Sequence, residues 1–73
     1  MAGRVYSVEI RPVERNTILA CTIANTGGEI TALFYGRTHI PGLRPGSLIR
    51  LRGTVSVAKA GTVMINPAYE LLD

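Results

Sequence analysis

The sequence is poor in the residues from which enzyme sites and metal centres are built. It has one cysteine, Cys21, one histidine, His39, and no tryptophan among its 73 residues. A lone cysteine excludes an internal disulfide, and one Cys with one His offers too few ligands for a structural zinc site. The five acidic residues are scattered, and no Ser-His-Asp or Cys-His set can be assembled. We therefore expect no catalytic residue, no cofactor and no metal.

Long hydrophobic runs are also missing. No segment approaches the roughly 20 apolar residues that cross a bilayer, and Met1 to Arg4 contain no apolar region of signal-peptide length. Hydrophobic residues still make up 47% of the chain, as in globular domains. We expect one domain over residues 1–73, a cytoplasmic location and no membrane partner. We also expect a domain of this size to lack the usual ~300 Å³ ligand cavity and to have no small-molecule substrate.

The charge that is present is mostly arginine. Arginine supplies seven of the eight basic residues, and the net charge is +3 with an isoelectric point near 9.6. Guanidinium groups bind phosphate bidentately and stack on flat π systems, which lysine does poorly. This composition favours a nucleic-acid partner.

Alternating hydrophobic residues predict five β-strands. In the first predicted strand the alternation breaks between Val5 and Val8, which indicates a β-bulge near Tyr6 and Ser7. Pro12 is expected to end its pairing. We expect Gly53 to bend the fourth strand at a barrel corner, and the C-terminal tail to lie against the barrel. The predicted strands span residues 4–11, 17–24, 29–35, 48–57 and 62–66.

Turn chemistry separates these strands. Asn25–Gly28 is typical of a tight hairpin, and the Pro41-Gly42 and Pro45-Gly46 pairs predict turns or one turn of helix. Short strands of this kind avoid unpaired edges by closing into a barrel. We therefore predict an all-β fold, a five-stranded OB-fold Greek-key barrel with a short turn or one-turn helix between strands 3 and 4. Its predicted core comprises Leu19, Cys21, Ile23, Ile30, Phe34, Ile49, Leu51, Val55 and Ile65.

Motifs along most of the chain resemble a known family. The stretch from Thr17 to Leu72 is similar to nucleic-acid-binding OB folds of the anticodon-binding type and of the RecG helicase wedge domain. The nearest resemblance is to small actinobacterial OB-fold proteins. This resemblance implies a bacterial, DNA-binding or RNA-binding protein. The matching residues are Gly3–Val5, Thr26–Thr31, Phe34–Arg37, Ile40–Gly42, Pro45-Gly46, Leu51–Val55 and Asn66–Leu71.

OB folds bind single strands across strands 2 and 3, between the 1–2 and 4–5 loops. Aromatic side chains there stack on bases while basic loop residues hold phosphates. Tyr35 is the best stacking candidate because its position in strand 3 faces outward. Tyr69 is expected to pack, and His39 to lie on the surface. The predicted nucleic-acid-binding residues are Tyr6, Arg11, Arg15, Thr31, Leu33, Tyr35, Arg37 and Lys59.

These residues support a non-catalytic module that binds single-stranded or branched DNA or RNA with little sequence specificity. Two alternatives remain open. In the first, exposed Leu33 and Tyr35 contact a protein partner or a second copy of the chain. In the second, the domain is an accessory part of a helicase or synthetase.

Overall fold

The computed structural model of the protein describes residues 1–59 and 61–73. These residues form seven β-strands and no helix. Consequently none of them belongs to a helix of the length and hydrophobicity that a membrane crossing requires. The strands are β1 (Ala2–Val13), β2 (Asn16–Asn25), β3 (Gly28–Tyr35), β4 (Leu48–Arg52), β5 (Val55–Ala58), β6 (Gly61–Ile65) and β7 (Ala68–Leu71).

All seven strands belong to one curled sheet, in the order β5-β6-β3-β2-β1-β4-β7. Strands β1, β2 and β3 form an antiparallel meander, and β6 runs parallel to β3. β4 and β5 lie towards opposite ends of this order, although only Gly53 and Thr54 separate them in the chain. The sheet must therefore curl round on itself, and it forms a half-barrel.

The concave side of the curled sheet encloses the hydrophobic core. The inward side chains alternate along each strand with outward ones, as a half-buried sheet requires. Leu43, Tyr69 and Leu71 pack against this core from the loop and from β7. The buried core residues are Val5, Leu19, Cys21, Ile23, Ala32, Phe34, Ile40, Ile49, Leu51 and Met64.

The prediction of five strands is wrong, because the predicted fourth strand is divided into two strands and the C-terminal tail forms a further strand. The fourth strand is interrupted at Gly53 and Thr54, where a bend was expected, and continues as β5. The C-terminal tail lies against the barrel as expected, but it does so as a strand. In this strand Tyr69 is paired with Leu51, and Leu71 with Ile49.

Two of the predicted core positions are also wrong. Val55 is 50% exposed and Ile65 is 55% exposed. Val55 lies in β5, at the edge of the sheet, where no further strand covers it. Ile65 points outward because the parallel pairing with β3 places Met64 beside buried Ala32. Ile30 is half-buried against the core, and the other six predicted positions are buried as expected.

The connection between β3 and β4 contains turns, as its Pro-Gly pairs predicted. Leu43 N–H donates to Ile40 O at 3.0 Å, and Ser47 N–H donates to Arg44 O at 3.0 Å. Each turn has proline at its second position and glycine with positive φ at its third, the preference of type II turns. The alternative of a helical turn is not adopted, and Ile40 is buried in the core.

The first strand contains the predicted bulge. The pairing of β1 with β2 shifts register between Val5 and Ser7, so Tyr6 is the extra residue. The prediction that Pro12 ends the pairing is wrong, because it still lies opposite Thr17. The partnership of β1 with β4 covers only Ala2–Arg4, which leaves the other edge of β1 unpaired at Pro12. Proline is tolerated there because no neighbouring strand needs its missing N–H.

Gly3 occupies a position with no space for a side chain. A Cβ atom built on Gly3 would lie 2.6 Å from Ala24 O and 2.7 Å from a methyl group of Ile23. We expect Gly3→Ala to lower the free energy of unfolding by about 1–3 kcal/mol through this overpacking. Urea denaturation measures the effect. Gly27→Ala is a control, since its nearest atom would be 3.3 Å away on an exposed side chain, and an equal loss in both variants would contradict the argument.

Phe34 and Tyr35 are neighbours on β3 that point to opposite faces. Phe34 is buried and meets the Tyr69 ring edge-on, with ring centroids 5.6 Å apart. Phe34→Ala should cost about 3–5 kcal/mol of unfolding free energy, which threatens the folding of so small a domain. Tyr35→Ala should cost roughly 1 kcal/mol or less. Thermal melts by circular dichroism test both, and an unchanged Phe34→Ala melting temperature would mean that the faces of β3 are reversed.

Candidate nucleic-acid interface

The convex side of β1, β2, β3 and β6 forms a continuous surface, which we name the outer face. The strand registers arrange its residues in rows that cross neighbouring strands. A first row lies at the β1–β2 hairpin end, and two further rows follow towards the β2–β3 turn. The rows are Arg11, Ile18 and Tyr35; then Glu9, Ala20, Leu33 and Ile65; then Ser7, Thr22, Thr31 and Val63.

Tyr35 is the exposed aromatic residue of the first row, with 48% of its surface accessible. Hydrogen bonds anchor the backbone around Tyr35, whereas its side chain is exposed to solvent. Tyr35 N–H donates to Asn66 Oδ1 at 2.9 Å, and Asn66 N–H donates to Leu33 O at 2.8 Å. Gly36 N–H donates to Thr17 O at 2.8 Å, which continues the pairing with β2. The ring is therefore held on a rigid strand end, as a stacking platform requires.

The centre of the outer face is more apolar than the sequence indicated. Leu33 and Thr31 lie on this face, where both are half-buried. Ile65 lies beside Leu33, a contact that sequence reasoning missed because it placed Ile65 in the core. Ala20 lies on this face opposite Leu33, but its small side chain is buried.

Tyr6 projects from the bulge of β1, and 70% of its surface is exposed. The next residue, Ser7, is paired with Thr22, which in turn faces Thr31 across β3. Tyr6 therefore lies near the third row, on the far side of β2 from Tyr35. The two exposed tyrosines belong to different parts of the surface.

The arginines of the β1–β2 hairpin differ in their surroundings. Arg11 forms an ion pair with Glu9, and both side chains are about half exposed. Such a pair adds little stability, but it places a carboxylate beside the guanidinium. Arg15 lies exposed in the turn between β1 and β2, three residues before Ile18 of the first row. Arg15 is therefore the more accessible cationic side chain at the Tyr35 end.

Arg37 is grouped with Tyr69 rather than with Tyr35. Its guanidinium carbon lies 5.9 Å from the centre of the Tyr69 ring, within cation–π range. Tyr69 packs against Phe34, on the inward side of β3. Tyr69 therefore packs as predicted, and Arg37 does not join the first row.

Lys59 lies at the other end of the outer face. It follows β5 in the turn before β6, and β6 runs parallel to β3. The start of β6 is thus beside the start of β3, whereas Tyr35 is at the end of β3. The eight residues of β3 span roughly 23 Å at about 3.3 Å per residue, and Lys59 and the Arg15 hairpin lie at opposite ends of this strand.

A second basic region lies on β4 and β7. Arg50 donates to Glu70 at 2.8 Å, and Arg52 is the next outward residue of β4. Together with Ala68 and Tyr69 they line a shallow depression of about 160 Å³. His39 is exposed in the loop before β4. The part of the chain that the structure describes contains no group of three or more His, Cys, Asp or Glu residues placed to hold a metal.

Comparison with models of known protein families, with curated proteins and with solved structures finds no match to this chain. The interpretation of the outer face therefore depends on its own residues. These are one exposed aromatic ring on a rigid strand, an apolar centre and basic residues at both ends.

Cys21 is fully buried in the core on the inward side of β2. Burial raises the pKa of its thiol from 9.0 to about 11. Since the folded pKa exceeds the unfolded value, the thiol favours folding below pH 9 and loses this contribution between pH 9 and 11. We expect the difference in unfolding free energy between the native chain and Cys21→Ala to narrow from pH 8 to pH 10.5. Tyr and Lys are present in both proteins, so their contributions to the pH dependence cancel in this difference. A difference in unfolding free energy that stays constant with pH would contradict the prediction.

Proposed function

We propose that this chain is a non-catalytic OB-fold module that binds single-stranded or branched nucleic acid with little sequence preference. The observation that carries the proposal is the outer face, where Tyr35 is exposed at the end of β3 beside the Arg15 hairpin and Lys59 lies at the opposite end. Single-strand-binding folds combine such a stacking platform with basic residues that follow the phosphate backbone.

The strand connections support the OB part of this proposal. If β4 and β5 are counted as one strand bent at Gly53 and Thr54, then β6 becomes the fifth strand. The first three strands form the meander, the third runs parallel to the fifth, and the first pairs with the fourth. A five-stranded, partly open Greek-key barrel of this kind binds oligonucleotides on its second and third strands. β7 is then an addition to that barrel.

The distribution of charge indicates modest affinity. Arg15 and Lys59 are at opposite ends of the outer face, and Arg11 shares its charge with Glu9. Few phosphates can be neutralised at once, so we expect micromolar or weaker binding at physiological salt. A single strand of nucleic acid that lies along β3 on the outer face would pass over Thr31, Leu33 and Tyr35.

Stacking is tested by replacing Tyr35. Tyr35→Ala should weaken binding to single-stranded DNA or RNA by about 1–3 kcal/mol, with an unchanged dependence on salt because stacking releases no counterions. Tyr35→Phe keeps the ring and should bind as the native chain does. Fluorescence anisotropy with labelled single strands and a fork, at two salt concentrations, measures both variants. Equal binding by Tyr35→Ala and the native chain would exclude stacking on this residue.

Phosphate contact is tested by comparing two arginines. Arg15→Ala should weaken binding and reduce the slope of log K against log salt by roughly 0.7, the value for one single-strand phosphate contact. Arg37→Ala should leave the slope unchanged, because its guanidinium lies against Tyr69. The reverse result would move the nucleic acid from the outer face to the Tyr69 side. Failure of every oligonucleotide to bind at low salt would refute nucleic-acid binding by this chain.

The apolar centre of the outer face favours a second candidate function. Leu33 and Ile65 are adjacent on this face, and Ile65 is 55% exposed. A protein partner, including a helicase or synthetase to which the module belongs, would bury this pair. Leu33→Asp should abolish such a contact. If it also leaves oligonucleotide binding intact, the two activities use different parts of the face.

A further inference from the structure

Free strand edges on β1, β7 and β5 differ in their protection. The part of β1 beyond its short pairing with β4 carries Glu9, Arg11 and Pro12. The edge strand β7 carries Glu70, which is paired with Arg50. Charged residues and proline are the usual means by which proteins prevent edge strands from pairing with other chains.

The third edge, β5, has no such protection. It reads Val55-Ser56-Val57-Ala58, without a charge or a proline, and all four residues are exposed. Val57 is the most exposed large hydrophobic residue of the described chain, at 85%. β5 pairs with β6 on one side only. Since backbone N–H and C=O groups alternate between the two sides of a strand, half of those in β5 have no strand partner.

We propose that β5 pairs antiparallel with β5 of a second copy of this chain, about a twofold axis at Ser56. This register places Val55 opposite Val57 of the other copy, and Ser56 opposite its own counterpart. Paired residues in a sheet share a face, so the two Val–Val pairs lie on one side and the serines on the other. The segment is therefore complementary to itself, as an interface between identical subunits requires.

The other possible registers fit less well. A shift by one residue would set inward residues against outward ones, which a sheet does not allow. A twofold axis at Val57 would bring Val55 opposite Lys59, which lies beyond the strand. The register centred on Ser56 is thus the one in which both valines of each copy lie opposite a valine. Only Val55, Ser56 and Val57 of each copy lie opposite residues of the other β5, so the dimer is weak and forms at high protein concentration.

Sedimentation equilibrium up to about 1 mM protein, a range suited to weak association, tests the proposal without nucleic acid. The native chain should show a concentration-dependent dimer, and Val57→Lys should remain a monomer at every concentration. Leu33→Asp, on the outer face, should dimerise as the native chain does. A native chain that stays monomeric overturns the proposal, as does a dimer that Leu33→Asp abolishes and Val57→Lys does not. Circular dichroism confirms that each variant is folded.

Cross-linking tests the register itself. Ser56→Cys should form a disulfide-linked dimer under mild oxidation, because the two side chains lie directly opposite each other. Thr54→Cys, also exposed, should not, because its counterpart would be roughly 13 Å away at about 3.3 Å per residue. Cys21 is buried, and the native chain should remain uncross-linked under the same conditions. Equal cross-linking of the two variants would overturn the proposed register.

Discussion

The two-residue connection between β4 and β5 is the constraint on which the rest of the structure depends. Gly53 and Thr54 join strands that lie towards opposite ends of one hydrogen-bonded sheet. A flat seven-stranded sheet would hold these strands about 24 Å apart, at roughly 4.8 Å for each step between neighbouring strands, which two residues cannot span. The sheet therefore has to curl, and the curl encloses the core and turns the other surface outward.

The parallel pairing of β3 with β6 then decides which residues reach that outer surface. Ala32 and Phe34 face the core, so Met64, the partner of Ala32, turns inward. Ile65 consequently lies beside Leu33 and extends the apolar centre of the outer face. Because successive residues of β3 point to opposite faces, Phe34 packs against Tyr69 on the inner side while Tyr35 is exposed on the outer side. The contact that stabilises the core and the surface proposed to bind nucleic acid thus lie on opposite sides of β3.

Local chemistry was predictable from the sequence, and long-range pairing was not. The turns at Asn25–Gly28 and in the 40–47 connection depend on residues close in the chain, and they form as expected, as does the bulge at Tyr6. The exposure of Ile65 depends on its partner across the sheet, which periodicity alone does not indicate. Arg37 was assigned to the Tyr35 face because it follows that residue closely. Its actual partner is Tyr69, whose position depends on the unexpected strand β7.

The proposed dimer and the proposed nucleic-acid interface are compatible in space. A twofold axis that joins two β5 strands edge to edge runs perpendicular to the sheet, so the outer faces of both copies lie on the same side. Lys59 follows β5 directly, and the two Lys59 residues would therefore flank the junction. A strand long enough to pass over it could contact both Tyr35 rings in one event. Linked sites raise overall affinity without new contacts. A module whose few cations give only weak binding would therefore bind a long strand more tightly as a dimer.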